Sequence, residues 1–211
     1  MLHLRPYTPT DREACLALFD SNVPAYFAPH ERDDFVTFLD DDLVEEHLPY
    51  FVLTGSTGPI ACGGIGLRVG EVRMCWGIVS RLRHGERIGT FMLLARLCLG
   101  AKMGATRAGL DTIPKTVPFF ERFGFVVVGG EDDHYGPGIH RRDLQLAFDS
   151  TTIAHLHARL AEAARDRFDL GLAFDLLTRA NVDLRCVGNV NFARADDGVR
   201  AVIVNMCATL E

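Results

Sequence analysis

The chain has 211 residues, of which 48% are hydrophobic and 24% charged, a composition that excludes collagen-like, coiled-coil and disordered proteins and allows a sizeable core. A formal net charge of −6 provides no broad cationic surface, so we expect no nucleic-acid partner. No apolar run approaches the roughly 20 residues that span a bilayer, and the first residues lack the apolar core of a signal peptide, so we expect a cytoplasmic protein without a membrane partner.

The cysteine pattern indicates reduced core thiols. None of the six residues belongs to a Cys-x-x-Cys pair and all have apolar neighbours, which favours small buried side chains over disulfides or metal ligands. The six are Cys15, Cys62, Cys75, Cys98, Cys186 and Cys207. We therefore expect no metal site.

Alternating apolar and polar residues, or short apolar runs bounded by turns, predict strands, and apolar residues that recur every three or four positions predict helices. The pattern predicts a strand at 2–7, a helix from Arg12 that ends before Asn22, a helix at about 30–42, a hairpin of strands 50–53 and 60–67, and a strand at 72–79. It then predicts a helix from Ile88 to about Gly100, a strand at 108–111, a short helix at 117–123, and strands at 125–128 and 142–148. The fold class is therefore α/β, a mixed sheet with helices on both faces.

Beyond residue 148 the pattern changes. One apolar helical face comprises Ile153, Leu156, Leu160, Ala163, Ala164 and Phe168. A second helix is predicted at 170–180, and strands at 182–192 and 199–206 flank an Asp-Gly turn that favours a hairpin. The sequence thus predicts a domain at 1–148 and a small α+β appendage at 149–211, which is too small for a comfortable core and must pack on the first domain or on a second subunit. Because two-fold dimers are common, we expect a homodimer to which the appendage contributes.

The segment 72–99 reads as a strand, a basic glycine-containing turn and a helix. A helix N-terminus exposes unpaired N–H groups and a partial positive charge, so such a turn can hold a pyrophosphate. Gly85 and Gly89 permit close approach, and the turn carries the cationic or polar residues Arg81, Arg83, His84 and Arg87. The alternative is an ordinary surface turn with a solvated basic cluster.

Two motifs resemble the GCN5-related N-acetyltransferase (GNAT) family. Residues 84–89, His-Gly-Glu-Arg-Ile-Gly, are similar to that family's acyl-CoA loop, and residues 119–125, Phe-Phe-Glu-Arg-Phe-Gly-Phe, are similar to its later helix. The opening Leu-Arg-Pro strand and the Gly-Gly strand before the loop also fit, and the resemblance covers about residues 2–148. It implies acetyl-CoA as co-substrate and, as the residues that bind it, Ile78, Val79, Arg83, His84, Gly85, Arg87, Ile88, Gly89, Thr90 and Phe120.

Three positions depart from the family pattern. His84 occupies the first loop position, Arg87 stands where the family has a glycine, and Phe120 replaces a tyrosine that protonates the leaving thiolate in many relatives. The Arg87 guanidinium either pairs with a phosphate or obstructs its approach. Phenylalanine has no proton to give, so another group is needed as the acid.

The resemblance implies attack of an amine on a thioester, which needs a base, a polarised carbonyl and a leaving thiolate that is stabilised or protonated. Backbone N–H groups near Ile78 and Val79 would polarise the carbonyl. As the acid the sequence favours Tyr135, in the turn before the last strand; the alternative is a tyrosine that only packs its ring. Glu71 and Asp111 are the candidate bases, although Asp111 also suits a turn-capping role.

In this family the first two helices and their connection set the acceptor specificity. This region contains Tyr26 and Phe27, and Trp76 either lines the same pocket or belongs to the core. Residues 31–46 hold eight acidic residues against one arginine, which favours a cationic amine unless this is merely a solvated face. The sequence therefore predicts an N-acetyltransferase acting on a small-molecule or peptide amine. The alternatives are a non-catalytic acyl-CoA-binding module and a scaffold for the appendage.

Overall fold

The computed structural model describes residues 2–45, 48–164 and 168–169. Its strands are Leu2–Pro6 (β1), Tyr50–Gly55 (β2), Gly58–Arg68 (β3), Glu71–Val79 (β4), Arg107–Thr112 (β5), Val126–Glu131 (β6), Arg141–Ala147 (β7) and Phe168–Asp169 (β8). Its α-helices are Arg12–Asp20 (α1), Glu31–Thr37 (α2), Leu43–Glu45 (α3), Ile88–Lys102 (α4), Val117–Glu121 (α5) and Ser150–Ala164 (α6). A π-helical turn, Phe38–Asp42, joins α2 to α3, so the predicted second helix continues three residues past its expected end.

Within the described residues the strands form one mixed sheet in the order β6-β7-β5-β4-β3-β2-β1-β8. Neighbouring strands are antiparallel except for the β4–β5 and β1–β8 pairs, which are parallel. The parallel β4–β5 connection is a crossover through α4, as parallel strands require. The predicted hairpin is confirmed as β2 and β3, which pair from Tyr50–Gly64 to Gly55–Gly58.

Two hydrophobic cores cover the two faces of the sheet. Alternate residues of β2 point to opposite sides: Tyr50 and Val52 pack with α1 and α2, whereas Phe51 and Leu53 pack with α4 and α6. This is the period of two that a strand imposes on its side chains. The predicted fold class, a mixed sheet with helices on both faces, is confirmed.

The sheet is split in its middle. Strands β4 and β5 pair at three positions, from Glu71–Arg107 to Arg73–Gly109. Past that point β4 continues along β3 to Val79, while β5 continues along β7 to Thr112. The two strands therefore diverge and leave an opening between their C-terminal halves.

The first helix of the predicted appendage packs on the main core. Leu156 and Leu160 of α6 are buried in the same cluster as the residues of α4. The prediction that Phe168 continues this helical face is wrong, because α6 ends at Ala164 and Phe168 pairs in parallel with Leu2 as part of β8. The predicted helix at 170–180 and the hairpin at 182–206 lie outside the described residues, and the domain division and the homodimer stay predictions.

The cysteines that the structure describes are free thiols. Cys15, Cys62 and Cys98 are buried, and Cys75 is half-buried. Burial raises the pKa of the Cys98 thiol to about 12, so it stays protonated at neutral pH. Across the described ranges, no helix is long and apolar enough to cross a bilayer.

Close packing of α4 on β4 gives a stability prediction. A Cβ added to Gly100 would lie 2.5 Å from Cγ2 of Val72, which is fully buried. We expect Gly100→Ala to lower the free energy of unfolding by about 1–2 kcal/mol, because overpacking outweighs the better helix propensity of alanine. Thermal unfolding measures this as a loss of several degrees in Tm.

Gly89→Ala on the same helix is the matched control. A Cβ there would lie 3.7 Å from its nearest neighbours, which is an ordinary contact. Its Tm should equal or exceed that of the wild type. Equal Tm values for the two variants would contradict the packing argument.

Candidate active site

A cavity of about 1380 Å³ occupies the opening between β4 and β5. Its walls come from the two strands, α4, the loop before α4, the α1–α2 connection and the β6–β7 turn. Among the residues predicted from the sequence, those that line it are Tyr26, Phe27, Trp76, Ile78, Val79, Arg83, His84, Gly85, Arg87, Ile88, Gly89, Thr90, Asp111, Phe120 and Tyr135. Glu71 is absent from this lining.

The glycine-containing turn places the N-terminus of α4 at the cavity. Gly85 has φ +86° and Arg87, which immediately precedes the helix, has φ +63°, both in the left-handed region that favours glycine. The Phe91 N–H donates to the Arg87 carbonyl, so the helix begins here. The first-turn N–H groups of Ile88, Gly89 and Thr90 have no helical acceptor and are available to an anion.

The cations of this turn differ in how they are engaged. Arg83 donates two hydrogen bonds to Glu86, at 2.6 and 2.8 Å. Nη1 of Arg81 lies 3.0 Å from Nδ1 of His84. The Arg87 side chain is exposed and makes no hydrogen bond or ion pair with any residue that the structure describes. Its guanidinium is therefore the one in this turn that is ready for an external anion.

Val79 presents its backbone to the cavity. Hydrogen-bonding residues alternate along an antiparallel pair, and the Ser80 N–H donates to the Ile60 carbonyl, so Val79 is turned away from β3. Its carbonyl accepts a hydrogen bond from Nδ2 of the buried Asn22 at 2.9 Å and lies 3.1 Å from Nε2 of His84. The Val79 N–H faces the same side, where a carbonyl oxygen can accept it.

A bulge in β4 widens the cavity just before Val79. The β3–β4 register shifts between Cys62 and Gly64, and Trp76 has φ +38°. The Trp76 carbonyl accepts a hydrogen bond from Tyr50 at 3.0 Å. Gly77, the next residue, is exposed. The bulge thus turns a short stretch of backbone toward the cavity.

The Trp76 ring belongs to an aromatic cluster and also lines the cavity. It packs within 5.0–6.2 Å, between ring centroids, of four phenylalanines: Phe19, Phe27, Phe35 and Phe38. Phe27 in turn stacks on Phe19 at 4.8 Å. Trp76 is half-buried: one part of its ring packs in the core and another lines the cavity, so both roles predicted from the sequence apply to it.

A polar chain crosses the opposite wall. Arg73 donates to Oδ1 of Asp111 at 2.8 Å, and the Tyr135 hydroxyl donates to Oδ2 of the same carboxylate at 2.6 Å. Burial and the neighbouring carboxylate raise the pKa of Tyr135 well above its usual range, so this phenol is protonated at neutral pH. The structure therefore brings two predicted catalytic residues into direct contact.

Glu71 lies elsewhere. It is 8% exposed, at the end of β4 far from the turn, and its Oε2 accepts a hydrogen bond from Arg107 at 2.7 Å. Its other oxygen lies 3.6 Å from Arg73. The ion pair with Arg107 spans the paired part of β4 and β5, so this carboxylate stabilises the junction from which the strands diverge.

The side of the cavity lined by α2, where the resemblance places the amine acceptor and which we call the acceptor side, carries carboxylates. Glu31 and Asp34 of α2 line it together with Asp111. Burial raises the pKa of Glu31, although the Ala28 N–H donates to its carboxylate at 2.6 Å. Gly136 of the β6–β7 turn approaches His30, because a Cβ there would lie 3.8 Å from its ring. The α1–α2 connection and the Tyr135 turn therefore meet over this side.

Tyr26 and Phe120 lie nearer the basic turn. The Tyr26 ring centroid is 5.3 Å from that of His84 and 4.3 Å from Nζ of Lys115. Lys115 also donates to the Ala25 carbonyl at 3.1 Å. Phe120 is half-buried and packs edge-on against Phe119 at 5.0 Å.

Sequence reasoning missed Asn22, Glu31 and Arg96, all of which line the cavity. From the sequence, Asn22 marks only the end of the first helix and the start of the connection, and Glu31 is one of eight acidic residues of which none stands out. Arg96 had a visible signal, because it is the one charged residue between Ile88 and Ala101 in an otherwise apolar helix. In the part of the chain that the structure describes, no group of three or more His, Cys, Asp or Glu side chains is arranged to hold a metal ion.

No protein-family model matches the sequence, and no curated protein matches it by sequence. Solved structures do match the fold. A protein described as a GNAT-family acetyltransferase from Desulfovibrio desulfuricans is 20% identical over 70% of this chain and 99% of its own, with a TM-score of 0.59. The ribosomal-protein-S18-alanine N-acetyltransferase of Escherichia coli is 14% identical over 70% and 94%, with a TM-score of 0.60.

A GNAT-family acetyltransferase from Staphylococcus aureus Mu50 is 14% identical over 71% of this chain and 100% of its own, with a TM-score of 0.59. The shared part is about as long as the portion of the sequence in which the two motifs indicated a resemblance. The resemblance predicted from those motifs is confirmed at the level of the fold, and the chain has the fold of the GCN5-related N-acetyltransferases.

Proposed function

We propose that the protein transfers an acyl group, with acetyl-CoA as the expected donor, to the primary amine of a small molecule or peptide. One observation carries this proposal: the open N-terminus of α4 and the free Val79 N–H face the same cavity between β4 and β5. The test is thiol release from acetyl-CoA across a panel of amines, together with calorimetric titration of CoA. Failure to bind CoA would overturn the proposal.

In this proposal the pyrophosphate of CoA lies on the first turn of α4. The N–H groups of residues 88–90 donate to it, and the helix dipole favours its charge. Arg87 adds a guanidinium that has no partner among the described residues and suits bidentate pairing with phosphate. The pantetheine arm then enters the opening between the strands, past Gly89 and Val79.

The thioester carbonyl accepts a hydrogen bond from the backbone near Ile78 and Val79, which stabilises the oxyanion as the amine attacks. The new bond joins the amine nitrogen to the carbonyl carbon, and the carbon–sulfur bond breaks. The nitrogen loses a proton to a base, and CoA leaves as a thiolate that takes up a proton. The protein's task is to position the two reactants and to move these protons.

Asp111 is the carboxylate we assign to the base, because it lines the cavity whereas Glu71 does not. Glu31 is a second carboxylate on this side, and its raised pKa brings it closer to the value that a general base needs at neutral pH. We keep Tyr135 as the acid: it stays protonated and lies in the cavity. Its contact with Asp111 also opposes loss of its proton, since the phenolate would face a carboxylate.

That contact favours a second candidate function. A phenol that donates to Asp111 is a weak acid, and Phe120 has no proton to give. A chain that binds acyl-CoA without turning it over, as a regulatory module does, needs neither group. CoA binding without turnover on any amine would support this alternative.

The basic turn gives a binding prediction. We expect Arg87→Gly to weaken CoA binding at least tenfold, about 1.4 kcal/mol, because it removes the free guanidinium at a position whose φ suits glycine. Calorimetry measures the Kd at two salt concentrations, and the salt dependence should be shallower in the variant.

Arg83→Ala on the same turn is the control. Its guanidinium is already held by Glu86, so we expect a smaller loss of affinity. Tighter binding by Arg87→Gly would mean that the side chain obstructs the phosphate. Equal losses in both variants would indicate a general charge effect.

Tyr135→Phe tests the acid. We expect kcat to fall roughly 100-fold while the Kd for CoA is unchanged, since the ring remains and the proton is lost. Tyr7→Phe is the matched control, because Tyr7 is also half-buried but does not line the cavity. Full retention of kcat in Tyr135→Phe would exclude the phenol as the acid.

Asp111→Asn extends this test through the pH profile. The Asp111 carboxylate raises the pKa of Tyr135, so a neutral amide should lower that pKa. Because the variant also lacks the assigned base, we expect kcat to fall at every pH. If turnover requires the protonated phenol, the alkaline loss of the remaining activity lies at lower pH than in the wild type. An alkaline limb that does not move would argue against the phenol.

The acidic acceptor side predicts a preference for cationic amines. We expect Glu31→Gln to raise KM several-fold for a dicationic amine and to change KM little for a monoamine of the same length, because only the dication has a second charge for Glu31 to attract. The local structure should be kept, since the glutamine amide oxygen still accepts the Ala28 N–H. Equal changes in KM for both amines would contradict an electrostatic role.

A further inference from the structure

Arg96 carries a buried charge beneath the floor of the cavity. It projects from α4, is 6% exposed and also lines the cavity. Its contacts are backbone carbonyls: Nε donates to Met92 at 3.0 Å, and Nη1 to Gly64 and Cys75 at 3.2 and 3.4 Å. No carboxylate among the described residues forms an ion pair with it.

A buried cation without a counter-charge is costly. Removing a guanidinium from water disfavours the charged form, and burial lowers the pKa of Arg96 accordingly. Arginine nevertheless stays protonated in proteins. Arg73, which also lines the cavity, pairs by comparison with Asp111 at 2.8 Å. The fold thus retains at Arg96 a charge that an anion inside the cavity would neutralise.

The sheet is built to admit this side chain. A Cβ on Gly63 would lie 2.9 Å from Nη1, and a Cβ on Gly77 would lie 2.7 Å from Nη2. Nη1 is used by the two carbonyls, whereas Nη2 has no hydrogen-bond partner in the described part of the chain. Nη2 lies against the exposed Gly77, so its unused donors are at the cavity side of the bulge.

An anion at Arg96 would be distinct from the phosphates of CoA. Arg96 follows Gly89 by seven residues, which is about 10 Å along a helix, so it lies two turns deeper than the proposed pyrophosphate position. It is adjacent to the bulge that precedes Ile78 and Val79, where the thioester is proposed to lie. A planar guanidinium edge at this depth suits a carboxylate.

The charge distribution decides which reactant carries that carboxylate. The acceptor side is lined by Glu31, Asp34 and Asp111, which oppose an anionic acceptor. The acyl chain of a donor bound as proposed, in contrast, would begin at the thioester and extend beside Gly77, which lines the cavity. An anion on the acyl group therefore reaches Arg96 without crossing the acidic side.

We propose that the acyl donor bears a terminal carboxylate that Nη2 of Arg96 binds, so that the preferred donor is the CoA thioester of a short dicarboxylic acid. This inference rests on the proposed acyltransferase function and names its donor class. The reaction is unchanged: the amine nitrogen bonds to the thioester carbon, the carbon–sulfur bond breaks and CoA leaves, while the distal carboxylate takes no part in bond making.

The test compares two donors on the wild-type protein. Succinyl-CoA and butyryl-CoA both have four-carbon acyl chains. The succinyl chain ends in a carboxylate, whereas the butyryl chain ends in a methyl group. We expect calorimetry to give a Kd at least tenfold lower for succinyl-CoA, and mass spectrometry to detect the succinylated amine. Equal or weaker binding of succinyl-CoA would overturn the inference.

This comparison separates the two proposals. If acetyl-CoA and butyryl-CoA bind and succinyl-CoA is not preferred, the donor class is wrong and the acyltransferase proposal stands. If neither CoA nor any of its thioesters binds, the proposed function itself fails. Both results are obtained without a mutation.

Arg96→Met then tests the residue. We expect the succinyl-to-butyryl preference to fall at least tenfold, whereas Arg159→Met, on a half-buried arginine of α6 outside the cavity lining, should keep it. Circular dichroism checks folding, because the variant also loses the bonds to Gly64 and Cys75. A preference that survives in folded Arg96→Met would overturn the assignment. A last measurement uses acetyl-CoA as the donor and compares amines with and without a carboxylate. If the wild type prefers the carboxylate-bearing amines and Arg96→Met does not, the acceptor carries the anion, and the proposal that the acyl donor carries it is overturned.

Discussion

The separation of β4 from β5 after Arg73 and Gly109 is the constraint on which the rest of the structure depends. Each strand keeps its partner on the outer side, so the inner-facing N–H and C=O groups of their last residues have no strand to pair with. Buried backbone groups need partners. At Val79 the carbonyl is satisfied by Asn22 and His84, which tie the α1 end and the basic turn to the strand edge. The N–H has no strand partner, so the candidate site is a consequence of unpaired backbone.

The charges around this opening are arranged by side. The turn before α4 supplies a free guanidinium and helix N–H groups, and the opposite side supplies Glu31, Asp34 and Asp111. A polyanionic cofactor would be attracted to the cationic side and repelled by the acidic side, and a cationic acceptor would show the reverse. Glu71, although a buried carboxylate, belongs to neither side, because its pairing with Arg107 holds together the part of the sheet that does not open.

The sequence was sufficient for features that depend on local periodicity and on glycine. Apolar runs on either side of a glycine-containing turn predicted the β2–β3 hairpin, and the glycine pattern located the turn that the structure places at the cavity. Sequence reasoning failed where contacts between residues far apart in the chain determine the structure. Phe168 fits a helical face by spacing but pairs with Leu2, more than 160 positions away. Glu71 and Asp111 are equivalent carboxylates at strand ends, and they differ only because β5 carries Arg107 beside one and the β6–β7 turn brings Tyr135 to the other.

Arg96 shows how such contacts can still leave a trace in the sequence. A lone arginine inside an apolar helix is a local inconsistency, and local inconsistencies are expected at functional sites. Its meaning depends on two glycines, Gly63 and Gly77, on adjacent strands of a different structural layer. Alanine at either glycine would bring a Cβ into contact with the guanidinium, and leucine at 96 would leave the Gly64 and Cys75 carbonyls without their partner. The three residues are therefore intelligible only together. Two of the guanidinium's donors complete the bulge, and Nη2 is the group that the described residues leave without a partner.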